Sequence, residues 1–78
     1  SAGDGMSDRE EHLTWCKQRA LQYVQAGDLS QALASMGSDL GKHPETQNHS
    51  GIQLGLMMLL AGHLDSKEKM AEFIRGFN

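Results

Sequence analysis

The tetrapeptide Ala26-Gly27-Asp28-Leu29 recurs as Ala61-Gly62-His63-Leu64, 35 residues further along a 78-residue chain. Apolar residues at helical spacing precede and follow both copies. A glycine just past such a stripe is a helix stop, because glycine alone enters the left-handed backbone region without steric cost. Two stops at this separation divide the chain into two helical hairpins in tandem. Each hairpin needs its neighbour to bury its apolar side.

Local signals fill in the elements. Ser7-Asp8-Arg9-Glu10 fits a capping box, and Leu13, Cys16, Ala20, Tyr23 and Val24 follow on one face, so a first helix is expected over 7–26. Asp28, with Gln31 three residues on, opens a second over 28–40, striped by Leu29, Ala32, Leu33, Met36 and Leu40. Pro44, which suits a first helical turn, lies where a third helix over about 45–61 is expected. A fourth, over 66–76, takes Asp65 and Glu68 as its capping pair and carries Met70, Phe73, Ile74 and Phe77. The fold class is therefore all-α: four short helices as two stacked antiparallel hairpins. Residues 1–5 read as a remnant of cloning ahead of Met6, and residues 6–78 as a single helical domain.

From Ile52 to Ala61 only Gln53 interrupts the apolar residues. A helix apolar all round belongs in an interior, so this one is expected to be the most buried, at the domain centre or in an oligomer interface. It does not cross a bilayer, which takes about 20 apolar residues. Gly51 and Gly55 give it a smooth strip for a close crossing, expected onto the first helix, with a dimer contact as the alternative. Met57 and Met58 point about 100° apart on a helix, so one of them meets a second surface. Trp15 lies off the main stripe of the first helix, as a half-exposed anchor or as the wide edge of the core. Trp15, Met57, Met58 and Phe77 are the expected protein contacts.

A chain this short buries only about 60% of its unfolded surface, and a lone Cys16 excludes an internal disulfide, so a homodimer is expected. One cysteine and no export signal point to a cytoplasmic setting. A net charge of -3 with scattered cations disfavours a nucleic-acid partner, and the close pair Lys67 and Lys69 shares its helix with Glu68 and Glu72.

Catalytic chemistry finds no foothold. His12, His43, His49 and His63 lack metal-ligand spacing, so neither metal nor cofactor is expected. Cys16 has His12 one turn earlier, but its place in the apolar stripe marks a core residue. His43, Glu45 and His49 can converge near the third helix, either as a His-carboxylate pair or as a cap. No catalytic residues are assigned, and the chain is not expected to be an enzyme.

Ala20, Tyr23, Gly27, Ala32 and Pro44 fall at the small, aromatic, turn-glycine, small and closing-proline positions of a tetratricopeptide unit, so the first hairpin resembles one such unit. The second half departs from it: Lys67 stands where the packing alanine belongs, no closing proline follows, and Trp15 is one place from the family's tryptophan. Asp28-Leu29 with Ala32, the run Ser38 to Thr46, and Phe73-Ile74-Arg75-Gly76-Phe77-Asn78 resemble small proteins of tailed bacteriophages and prophages. That resemblance implies a bacterial host cytoplasm and an accessory protein that binds and modulates a host or phage protein. The alternative is a dimeric helix-turn-helix regulator of nucleic acid, although the second helix begins Asp28-Leu29-Ser30-Gln31, without a basic recognition residue.

Overall fold

A computed structural model describes residues 8–47 and 49–77. The chain forms α1 (Asp8–Gln25), α2 (Leu29–Leu40), α3 (Gly51–Leu60) and α4 (Lys67–Arg75), with no strand among the described residues. Ser7 of the expected capping box and the expected remnant at 1–5 lie outside the described residues.

The two copies of the repeated tetrapeptide form the same helix stop. After α1, Gly27 N-H donates to Val24 O and Asp28 N-H to Tyr23 O; after α3, Gly62 N-H donates to Leu59 O and His63 N-H to Met58 O. Both glycines take positive φ, 83° and 84°, which closes the paired bonds of a Schellman motif and turns the chain back. Asp28 then caps α2 by accepting from Gln31 N-H at 3.3 Å. The cap of α4 is Ser66, accepting from Lys69 N-H at 3.2 Å, rather than the expected Asp65. Asp65 instead pairs with Lys69 Nζ at 3.1 Å, because a serine in extended backbone one residue later reaches the free N-H more directly.

The core is closed by three helices. Leu13, Cys16, Ala20 and Val24 of α1 meet Ala32, Leu33, Met36 and Leu40 of α2, and Met70, Ala71 and Ile74 of α4 complete the layer with Leu64 and Phe77. Side chains of α1 also reach carbonyls in the last turns of the other helices. His12 Nε2 donates to Asp39 O at 2.6 Å, and Lys17 Nζ to Arg75 O at 2.9 Å.

α3 departs from expectation in three ways. It starts at Gly51, because residues 41–47 form turns held by Thr46, whose buried Oγ1 donates to Leu40 O at 2.6 Å and lies 3.3 Å from His43 O. Its glycine strip faces α2 and α4, not α1: a Cβ on Gly55 would come within 2.7 Å of the Phe73 ring and 2.9 Å of Leu33. And it is the least buried helix rather than the most, with Gly55 its only buried residue. Ile52, Leu59 and Met58 touch a core already filled by the other three helices, and the described residues supply no further layer to cover the rest.

Candidate functional site

The uncovered side of α3 is the largest chemical anomaly on the described surface. Leu54 is 54% exposed, Leu56 49%, Met57 69% and Leu60 88%. No Asp, Glu, Lys or Arg occurs from Thr46 to Gly62, so nothing charged interrupts this face. Such a contiguous apolar patch marks an interaction site more often than a single exposed leucine does.

A groove of about 550 Å³ runs between this helix and α4. Leu54, Met58, Phe73 and Phe77 give it apolar walls, and Lys69 and Glu72 stand at its border. The aromatic rings hold it open: Phe73 and Phe77 meet edge to face at 5.2 Å, and His49 lies against Phe77 at 5.0 Å. His49 is fixed in turn by Gly51 N-H, which donates to its Nδ1 at 3.0 Å.

Trp15 belongs to a separate cluster at the C-terminal end of α2. Arg19 lies 4.9 Å and Lys42 5.3 Å from the centroid of its ring, while the His12 ring is 5.4 Å from Trp15 and 5.2 Å from His43. Beneath them Asp39, almost fully buried, accepts from Arg19 Nε at 2.7 Å and Lys42 Nζ at 3.1 Å. Burial pushes the Asp39 carboxyl upward, but the hydrogen bonds and charges of Arg19 and Lys42 outweigh it and hold the group below the usual carboxylate range.

Of the four expected contacts, Met57 is strongly exposed, Met58 is half-buried on the groove wall, and Trp15 is exposed at 39%. Phe77 is 5% exposed, so it builds the groove from beneath rather than presenting a free contact. The structure thus gathers Met57, Met58 and Phe77 around α3 and leaves Trp15 apart, since none of its ring neighbours lines the groove. The apolar character of Leu54, Leu56 and Leu60 predicts burial, at the domain centre or in an oligomer interface, and does not single them out as exposed in one chain. The signal that could have found them is the charge-free stretch itself, too long for the one helix face a small core can take.

The candidates for chemistry disperse. His43 turns to His12 and accepts from Glu45 N-H at 3.1 Å, while His49 turns to Phe77. Cys16 is fully buried, and burial, aided by the Asp39 charge, pushes its thiol up to about 11, so little thiolate forms at neutral pH. Among the described residues no group of three or more His, Cys, Asp or Glu is placed to hold a metal ion, and no helix is long and apolar enough to cross a membrane. Compared with protein-family models, with curated proteins and with solved structures, the chain matches none.

Proposed function

We propose that this chain is a small, non-catalytic accessory protein of phage type that binds and modulates a protein in the bacterial host cytoplasm. Its interaction surface is the uncharged face of α3. The observation that carries the docking surface is the exposure of Leu54, Leu56, Met57 and Leu60 on a helix without a charged residue. The phage setting draws on the resemblance of the Ser38–Thr46 and C-terminal segments.

The face carries a substantial share of what association requires. The four side chains together expose the equivalent of about two and a half whole ones, and burying each whole one is worth about 1.5–3 kcal/mol. One such face therefore contributes roughly 4–8 kcal/mol, of the same order as the roughly 4–15 kcal/mol that association costs in lost freedom. A phosphate-binding role has less behind it, because Arg19 and Lys42 are both engaged by Asp39 and Lys69 by Asp65.

The test is affinity capture of the tagged chain from bacterial cells, in parallel with a variant carrying Met57→Glu and Leu60→Glu. The proposal expects a stoichiometric protein, an untagged copy of the chain included, with the native sequence and its loss with the variant. Equal recovery by both, or no protein with either, contradicts it.

A further inference from the structure

We infer that the occupant of the α3 face is a second copy of this chain, with the two α3 helices lying antiparallel about a twofold axis near Met57. The inference rests on reading α3 as a docking face, and it adds which molecule docks and in what orientation.

Three observations select a second copy. The first is charge. The chain is acidic overall, yet Thr46 to Gly62 carries no formal charge, so two copies meet there without repulsion while a strongly charged partner finds no counter-charge. The second is shape. Leu54, Met57, Met58 and Ala61 recur at the spacing of one helical stripe, and this stripe borders the groove walled by Phe73 and Phe77. Ridge and groove therefore sit on one chain, as a self-complementary twofold interface requires. The third is need. The core of this short chain is small, and a second copy over α3 buries apolar side chains that one copy leaves exposed.

The antiparallel sense follows from the pattern of the stripe. Turning it end for end sets the larger Leu54 against the smaller Ala61 at both ends and the two flexible methionines, Met57 and Met58, against each other at the centre. The opposed helix dipoles also favour this sense over a parallel pair.

Bismaleimide cross-linking of full-chain variants with one added cysteine tests the arrangement, since Cys16 is buried and does not compete. Helices packed at about 8–10 Å bring Met57→Cys within reach of its own copy. Gln53→Cys then links efficiently to Leu60→Cys in a mixed sample but not to itself, and adding Leu60→Glu to Met57→Cys abolishes the product. Efficient self-linking of Gln53→Cys overturns the antiparallel sense, and a dimer in which none of these positions links overturns α3 as its seam. A chain that stays monomeric, yet loses a different captured protein on Met57→Glu and Leu60→Glu substitution, overturns the second copy and leaves the docking face standing. A monomer that captures nothing overturns both.

Discussion

Arg19 Nε lies 2.7 Å from Oδ2 of Asp39, a side chain only 2% exposed, and this contact ties the middle of α1 to the last turn of α2. Lys42 closes on the other carboxylate oxygen from the following turn. The two cations are 45% and 55% exposed, so water tempers their attraction, and the cost of Asp39→Asn falls below the roughly 3–5 kcal/mol of a broken buried pair, at about 1–3 kcal/mol. The pH dependence follows from the lowered pKa of Asp39 in the folded chain. The stabilisation is complete above the unfolded value, near 4, and is lost as pH falls through the folded value. Urea unfolding of both proteins at neutral and at strongly acid pH should show a gap in stability that closes on acidification. A gap independent of pH contradicts this role.

Thr46 holds the connector that delays the start of α3. Its hydroxyl is buried against Leu40 O, the last carbonyl of α2, and valine in its place keeps the shape but leaves that acceptor unmet. Thr46→Val is expected to cost about 1–3 kcal/mol, whereas Thr46→Ser, which retains the donor, costs less. Thermal unfolding of the pair separates the hydrogen bond from the packing of the methyl group. A larger loss for Thr46→Ser than for Thr46→Val would assign the effect to packing.

Gly62 offers an unobstructed test of the repeated helix stop. A Cβ there meets nothing within 4 Å, so Gly62→Ala changes only the cost of a positive φ. That cost is about 1–2 kcal/mol, and each kilocalorie lowers the melting temperature of a domain this size by roughly 4–8 °C. Gly62→Asn should lose less, because asparagine tolerates the left-handed region. An unchanged melting temperature for Gly62→Ala would mean that the turn relaxes out of its Schellman form.

The helices and their stops were legible because their signals are local: Gly27 and Gly62 end helices, Asp28 caps one, and Cys16, Leu33 and Ile74 fall on the faces that become core. The depth of α3 was not legible. Its residues state that they avoid water without stating what covers them, and only the count of layers shows that α1, α2 and α4 leave no place inside. Trp15, expected as a half-exposed anchor or as the wide edge of the core, is 39% exposed; Arg19 reaches it from the next turn of α1, but Lys42 comes from beyond α2. The burial of Asp39 left still less trace. An aspartate in a last helical turn reads as surface, and its pairing depends on how α1 and α2 align in space. Phe77 shows the same limit in reverse, an expected contact that the fold draws inward beneath His49.

Sedimentation equilibrium across a concentration series, on the native chain and on the Met57→Glu, Leu60→Glu variant, tests most directly whether the α3 face is an interface. The account predicts a mass rising toward twice the 8.5 kDa of one chain for the native sequence. The variant should stay at the single-chain mass with the same helical circular dichroism. A native chain that remains single at every concentration, or a variant that associates equally well, would contradict it.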